Sequence, residues 1–322
     1  MITRSELLAS GASSSEVRHR VERGGLVRLC KGVYVPRGEV PSGDEARHLA
    51  RVRAFAYRSD YVVSHVSAAL LHGLPVGGAD LSEVHVTRTG LGGQRHESGR
   101  RVHAGLLDPR WCVTVDGIQV TTVGRTLVDL ATVERLEVAV AAADATLQTK
   151  ACRLDDIVAA LDSVQGHPYS RRARIAILQV DGRAESPGET RTRLALNSSG
   201  MRLDGALVPR SELQISVFDE RGRFVGRADG GYPELGVLWE YDGKGKYGAL
   251  LKPGQSPLDA LLAEKRREEQ LTELGWVVIR IDAADLRDPD RLIQRILSAV
   301  ARSSQVGWLP PRGTYKIKKP MM

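Results

Sequence analysis

The sequence predicts a multidomain α+β protein, and three observations support that fold class. The chain has 322 residues, enough for two or three domains, and 42% of them are hydrophobic against 26% charged. Two short helix patterns and a hairpin pattern open the chain, whereas strand patterns alternate with longer helix patterns after residue 186. We expect domains at 1–40, 41–185 and 186–305, followed by a basic tail at 306–322.

Composition limits where the protein works. No apolar run reaches the roughly 20 residues that a membrane-spanning helix needs, and the N-terminus lacks the apolar stretch of a secretory signal. The three cysteines are far apart and have no metal-binding spacing, which favours ordinary thiols in a reducing compartment. We therefore expect a cytoplasmic protein with no membrane partner.

Positive charge is concentrated at both ends of the chain. The net charge is +7; residues 1–38 carry a net +4 and residues 312–322 carry another +4. Basic termini are typical of nucleic-acid contact, although a solubilising surplus also explains the tail.

The first 40 residues predict two helices and a hairpin. Thr3 caps a helix over 3–9 with Glu6 as its capping-box partner, and a second helix begins at Ser13 or Ser14 and ends at Gly24. The runs LVRLC and GVYVP read as two strands joined by Lys31-Gly32. This order is typical of a winged helix-turn-helix, in which the second helix enters the major groove. The candidate DNA-binding residues are Arg18, His19, Arg20, Arg23, Arg28 and Lys31.

Residues 1–38 resemble the N-terminal winged-helix domain of AbiEi-family antitoxins, the DNA-binding halves of type IV toxin–antitoxin systems. Residues 25–35 carry the most specific part of the match, and SHVSAALLHGLPV and VTTVGRTLVDLA extend it more loosely. The resemblance implies double-stranded DNA as a partner, a repressor function and a cognate nucleotidyltransferase-type toxin. The alternative is a basic cap with no role on DNA.

The region from 41 to 185 predicts a mixed α/β domain. Helix patterns cover 44–58, 64–73, 124–148, 153–165 and 170–180, and strand patterns cover 81–88 and 117–123. His65 and His72 are seven residues apart on one helix face. Without an H-E-x-x-H motif or a carboxylate partner, they predict buried, hydrogen-bonded histidines rather than a metal site.

The last large region has an α/β element order. We expect a helix at 188–198, three strands at 213–219, 223–229 and 236–242, a crossover helix at 257–274, a strand at 276–282 and a final helix from 289 to about 302.

Acidic and basic side chains gather in the middle of that region. Glu240 and Asp242 are two apart and share one face of a strand, and Asp229 ends the preceding strand. Lys244 and Lys246 follow directly. Carboxylates beside lysines are suited to holding Mg²⁺ and neutralising a phosphodiester transition state.

Residues 186–303 resemble the very-short-patch-repair-like branch of the PD-(D/E)XK nuclease superfamily, which implies a restriction-endonuclease-like α/β domain. The resemblance implies Asp229 and Glu240 as ligands of Mg²⁺ or Mn²⁺. The candidate catalytic residues are Glu189, Asp242, Lys244 and Lys246. Asp242 stands where the family usually has lysine, and the region contains no histidine.

Three alternatives therefore stay open for this cluster: an intact metal site, a nuclease fold without catalysis or cofactor, and an ordinary charged hairpin. The two functions to be distinguished are a DNA-binding, AbiEi-type regulator with a nuclease-like domain, ranked first, and an active Mg²⁺-dependent DNA endonuclease targeted by its winged helix.

Overall fold

The computed structural model describes residues 1–56, 61–88, 95–97, 99–105, 107–203, 205–243, 256–305 and 311–320. Within these residues the fold is mixed α/β with four separate sheets, as the sequence predicts at the level of class. The chain divides into two compact units. Residues 1–142 and 150–178 form the first unit, and residues 143–149 and 179–322 form the second.

The first unit begins with a small sheet and two helices. Its elements are β1 (Ile2–Thr3), α1 (Arg4–Ala9), α2 (Ser14–Glu22), β2 (Leu26–Cys30) and β3 (Val33–Pro36). The sheet order is β1-β3-β2. Both helices begin with the predicted capping boxes, Thr3 with Glu6 and Ser13 with Glu16. These boxes satisfy orphan N–H groups, which explains why such short helices begin where they do.

A six-stranded mixed sheet forms the rest of the first unit, in the order β6-β7-β5-β4-β9-β8. Its strands are β4 (Val62–Val63), β5 (Val84–Arg88), β6 (Arg95–Glu97), β7 (Arg100–Ala104), β8 (Cys112–Val115) and β9 (Ile118–Thr121). The helices are α3 (Asp44–Ala56), α4 (His65–Leu71), α5 (Val123–Val133), α6 (Leu136–Gln148), α7 (Leu154–Asp162) and α8 (Ser170–Ile177). The last residues of α6, from 143 onward, belong to the second unit. The short strand β6 lies outside the strand patterns predicted for this region.

The expected single helix over 124–148 is wrong, because it is two helices with a break at Glu134. The backbone of Glu134 is extended, with ψ 165°. Its carbonyl accepts a hydrogen bond from the Arg172 guanidinium instead of continuing the helix. A contact between residues distant in sequence thus overrides a continuous helical pattern.

The second unit is built on a five-stranded sheet in the order β15-β14-β13-β12-β16. Its elements are α9 (Pro187–Ser198), β10 (Arg202–Leu203), β11 (Ala206–Leu207), β12 (Glu212–Phe218), β13 (Phe224–Tyr232), β14 (Val237–Tyr241), α10 (Pro257–Glu273), β15 (Val277–Ile281), α11 (Pro289–Gln305) and β16 (Thr314–Ile317). The predicted helices and strands of this region are confirmed to within about three residues. The segment expected as a basic tail contributes β16, which pairs antiparallel with β12.

Two apolar clusters cover the two faces of this sheet. On one face, Trp239 and Ile281 pack with Leu292 and Ile296 of α11. On the other face, Ile215 and Leu238 pack with Leu271 of α10. Strands β12, β13 and β14 form an antiparallel meander, and α10 returns the chain so that β15 runs parallel to β14. No helix in the described ranges is both long and apolar enough to cross a membrane.

Candidate functional sites

A basic face lies on α2 and on the hairpin of β2 and β3. Val17 is buried in the small core of the first 36 residues, which directs the polar side of α2 outward. All six side chains predicted to contact DNA are exposed: Arg18, His19, Arg20, Arg23, Arg28 and Lys31.

The charges on this face have few partners. His19 lies 3.7 Å from Glu22, and Arg28 donates through Nε to the Cys30 carbonyl over 3.3 Å. Within the described part of the chain, Arg18, Arg20 and Arg23 make no ion pair shorter than 4.0 Å, so their charges are available to an external anion.

The carboxylates of Glu189 and Asp229 in the second unit lie beside an irregular step in β12 and β13. At this step the side chains of both strands change from one face of the sheet to the other. Leu213 packs with the Trp239 cluster, but Ile215 packs on the opposite face of the sheet. Gln214 lies between them with φ +56°, a left-handed conformation that side chains other than glycine rarely adopt. The strand therefore switches the faces of its side chains at Gln214.

Strand β13 makes the matching switch at Asp229. The register pairs Leu213 with Gly230 and Ile215 with Ala228, which places Gln214 opposite Asp229. Ala228 belongs to the α10 face, whereas a side chain at Gly230 would meet the ring of Trp239 on the other face. The Asp229 carboxylate accepts a hydrogen bond from the backbone N–H of Tyr241 over 2.8 Å. It thus lies at the end of the β13–β14 ladder.

Glu189 joins these two residues from the first turn of α9. Its side chain is 5% exposed. It accepts hydrogen bonds from the Glu185 N–H at 2.8 Å, the Ser186 hydroxyl at 2.8 Å and Gln214 Nε2 at 2.9 Å. Burial, and next the negative charge of Asp229, raise the pKa of Glu189 to about 7.

Close packing of α9 on β14 holds this arrangement. A Cβ atom on Gly188 would lie 2.0 Å from the ring of Tyr241, so only glycine allows the helix to approach so closely. The sequence indicated Glu189 and Asp229 but not Gln214, because a lone glutamine in a strand pattern carries no signal of a left-handed backbone.

Glu240 has a different environment, on the α10 side of the sheet. Arg267 of α10 lies 2.6 Å from its carboxylate, and the same guanidinium binds Glu264 at 2.7 Å. Arg280, which pairs with Glu240 in the β14–β15 register, also bonds to Glu264 and lies 3.1 Å from Glu268. Glu240 is therefore held in a network of ion pairs.

The remaining predicted catalytic residues follow β14. Asp242 is half-buried, and its N–H donates to the Ile281 carbonyl over 2.7 Å. Lys244 and Lys246 lie outside the described residues. The described acids do not bring three ligand atoms within 4.8 Å of one another; the single such group in the described ranges is formed by histidines.

That histidine group lies in the first unit and was not predicted from the sequence. His65 begins α4, His85 is on β5 and His103 is on β7, and all three are buried. Burial lowers the pKa of His85 and of His103 to about 3 and lowers that of His65 well below its ordinary value. His72 lies apart from them and bonds through Nε2 to the Thr121 carbonyl at 2.7 Å. Three histidines separated by about 20 residues show no motif in the sequence; the pairing of β5 with β7 brings His85 near His103, and the start of α4 adds His65.

Comparison with curated proteins gives two relatives that are described as uncharacterized. No protein-family model matches the chain. Over 293 residues it is 28% identical to the uncharacterized proteins MT2308 and Rv2248 of two Mycobacterium tuberculosis strains, CDC 1551 / Oshkosh and ATCC 25618 / H37Rv, covering 89% of this chain and 97% of each relative. Among solved structures, the Rv2827c protein of M. tuberculosis gives a TM-score of 0.39 at 17% identity, over 55% of this chain and 70% of that chain. The chain is thus similar along nearly its whole length to two mycobacterial proteins.

Proposed function

We propose that the protein binds double-stranded DNA through α2 and the β2–β3 hairpin and acts as an AbiEi-type antitoxin and transcriptional repressor. The observation that carries this proposal is the exposed basic face of α2 and its C-terminal cap, where Arg18, Arg20 and Arg23 make no ion pair within the described chain. The order of helix, helix and two-stranded hairpin is compatible with a winged helix-turn-helix. Arginines on such a face bind phosphates and release counterions, so affinity falls as salt concentration rises.

The test is a salt titration of duplex binding. Arg18→Ala, Arg20→Ala and Arg23→Ala combined should weaken binding and reduce the slope of log affinity against log salt by up to about 3, since each phosphate contact contributes about 0.9. A matched control replaces three exposed arginines elsewhere in the same unit: Arg135, Arg153 and Arg171. Equal slopes for the two triple variants would remove the basis for the winged-helix assignment.

An AbiEi-type role includes a partner protein as well as DNA. We propose a nucleotidyltransferase-type toxin encoded beside this gene. Repression of a promoter upstream of such a pair, lost in the α2 triple variant, is the expected result. An isolated gene would argue against the antitoxin role while leaving DNA binding untouched.

A second candidate function, metal-dependent phosphodiester hydrolysis, is favoured by the Glu189–Gln214–Asp229 cluster. Two acids lie close enough for the charge of Asp229 to raise the pKa of Glu189. Gln214 Oε1 is buried and has no hydrogen-bond partner among the described residues. Carboxylate and amide oxygens are the ligands that Mg²⁺ prefers, so this donor set fits a hard cation.

The side chains have separate tasks in this proposal. Asp229 and Glu240 would hold Mg²⁺ or Mn²⁺, and Glu189 and Gln214 would complete the acidic side of the site. Because Glu240 is bound to Arg267 on the α10 side of the sheet, it would have to exchange that ion pair for the metal. A metal held there would supply an activated water and neutralise charge on the phosphodiester. The Tyr241 N–H orients Asp229. Lys244 or Lys246 is assigned to the scissile phosphate on the sequence resemblance alone.

The assay is plasmid and branched-DNA cleavage with Mg²⁺ or Mn²⁺. Asp229→Ala and Glu240→Ala should each abolish nicking, whereas Glu220→Ala should not, because Glu220 is an exposed acid outside the cluster. Cleavage that survives both substitutions would come from another site or from a contaminant. No cleavage by the wild-type protein would favour a nuclease-type fold that only binds DNA.

A further inference from the structure

Three buried histidines in the first unit bring their ring nitrogens together. His65, His85 and His103 are 5%, 4% and 8% exposed. One ring nitrogen from each lies within 4.8 Å of the other two. Three imidazoles from three separate elements therefore meet at one point inside the unit.

The pairing of β5 with β7 places two of them on the same face. The parallel register sets His85 beside Arg101 and Thr87 beside His103, and residues two apart on a strand share a face. Val84, Val86 and Val102 occupy the opposite face and pack into an apolar core. One face of these strands is thus apolar and the other is polar, although both are buried. Burying polar groups costs free energy unless they form hydrogen bonds or bind an ion, so the side chains on this polar face need such partners.

The third histidine comes from a strained backbone position. His65 has φ +52°, a conformation that persists only where the surrounding structure enforces it. Its Nδ1 lies 2.9 Å from the Ser64 hydroxyl oxygen, which accepts from Thr87 Oγ1 at 2.8 Å. In the tautomer in which Nδ1 carries the proton and donates it to Ser64, Nε2 is left for a ligand, as in metal-binding histidines.

We propose that His65, His85 and His103 form a transition-metal site, with Zn²⁺ as the best-fitting ion. Nε2 of His103 lies 3.2 Å from Nδ1 of His85. Two nitrogens bound to Zn²⁺ at ~2.0–2.1 Å in a tetrahedron are about 3.4 Å apart, so the separation of His85 and His103 fits. The ring of His65 stacks on that of His103 with centroids 3.6 Å apart, so it has to turn out of this stack to bind the same ion. Three imidazoles with a fourth position for water are a common Zn²⁺ ligand set, and they exclude the hard cation proposed for the second unit.

The charges around the cluster are compatible with a cation. Arg125 acts electrostatically on His65, but its Nε is bound to Asp129 over 2.8 Å. Arg101 acts on His85 and His103, and it is itself within electrostatic range of Asp80 and Glu134. Each arginine near the histidines therefore has an acid nearby that offsets its charge.

The competing arrangement is a metal-free cluster in which one proton bridges His85 and His103 as an N–H···N hydrogen bond. The two are distinguished by metal content. The full-length protein is stripped with a chelator, titrated with Zn²⁺ and with Co²⁺, and analysed by elemental analysis and by the visible absorption of tetrahedral Co²⁺. The wild type should take up one equivalent with a tetrahedral spectrum.

The variants identify the ligands. His85→Gln and His103→Gln should lose the bound equivalent, whereas His72→Gln should keep it, because His72 bonds to Thr121 outside the cluster. Ser64→Ala, which removes the partner of the His65 ring, should weaken Zn²⁺ binding about 10–100-fold. Glu189→Gln should leave Zn²⁺ uptake unchanged, so that failure of this site and of the Mg²⁺ site are separate results.

The variant His65→Asn removes the third imidazole and should keep the fold, because asparagine tolerates a positive φ. A wild-type protein that takes up no Zn²⁺ overturns the proposal. So does a His65→Asn variant that has native circular dichroism and still binds one tetrahedral equivalent.

Discussion

Gln214 provides a test of the second unit, because its glycine variant should be more stable than its alanine variant. This is the reverse of the usual order within a strand. The residue is buried, has φ +56° and donates to Glu189 over 2.9 Å. Gln214→Ala removes the hydrogen bond but keeps the strained backbone. Gln214→Gly removes the hydrogen bond and also the strain, since glycine adopts positive φ readily.

The magnitudes follow from these contacts. A hydrogen bond to a charged group contributes about 1.5–3 kcal/mol and a buried methylene about 0.8 kcal/mol, so Gln214→Ala should lower the free energy of unfolding by about 2–4 kcal/mol. A left-handed backbone costs about 1–2 kcal/mol for residues other than glycine. Gln214→Gly should therefore be more stable than Gln214→Ala by about 1 kcal/mol.

Urea unfolding provides the measurement, with tryptophan fluorescence reporting on the fully buried Trp239. Ser216 is the matched control, because it lies two residues further on β12 and has an ordinary φ. Ser216→Gly should be less stable than Ser216→Ala by about 0.5–1 kcal/mol. If alanine is at least as stable as glycine at both positions, the left-handed backbone at Gln214 and the face switch built on it are wrong.

Three other substitutions test separate features. Gly188→Ala should destabilise the second unit by at least about 1–3 kcal/mol, because its Cβ would lie 2.0 Å from the Tyr241 ring, and Tyr241→Ala in the same chain should restore part of the loss. Asp144→Ala should lower the free energy of unfolding by about 3–5 kcal/mol, because it leaves Arg193, 2.9 Å away and 6% exposed, as a buried charge without this partner. Burial lowers the pKa of His48, so the unfolded chain binds a proton there before the folded protein does. Stability should fall as pH drops below about 6.5, and His48 should contribute at most about 1.4 kcal/mol per pH unit of that fall, so His48→Gln should reduce the slope by up to this amount.

Each of these has a contrary outcome in the same urea experiments. Equal stability of the Gly188→Ala protein and the wild type would mean that α9 does not pack on β14 as closely as described. If a double-mutant cycle shows no coupling between Asp144 and Arg193, their ion pair does not contribute to the stability of the second unit. If the free energy of unfolding depends on pH in the same way for the wild type and His48→Gln, groups other than His48 cause the loss of stability at low pH.

Local signals in the sequence were sufficient for much of the fold. Capping residues such as Thr3 and Ser13, the turn at Lys31-Gly32 and the Pro-started helices near the C-terminus act over three or four residues, so the sequence shows them directly. The element order of the second unit followed from the same signals. The break at Glu134 did not, because its cause is an arginine 38 residues further along the chain.

The candidate sites divide in the same way. Asp229 and Glu240 could be identified because acids beside strand patterns are visible in the sequence, and Glu189 because the nuclease resemblance implies an acid there. The sequence does not show whether these acids come together in space. The face switch at Gln214 and the ion pair of Glu240 with Arg267 both depend on packing between elements.

By itself, the sequence determined the class of fold, the basic helix α2 and the acids of the second unit, because periodicity, caps and charge are properties of neighbouring residues. Only the tertiary structure decided which side chains meet. It joined Gln214 to Glu189 through a left-handed backbone, bound Glu240 to Arg267 and gathered His65, His85 and His103 from three elements. The physical reason is that strand register and helix packing act between residues distant along the chain, where sequence spacing carries no distance information.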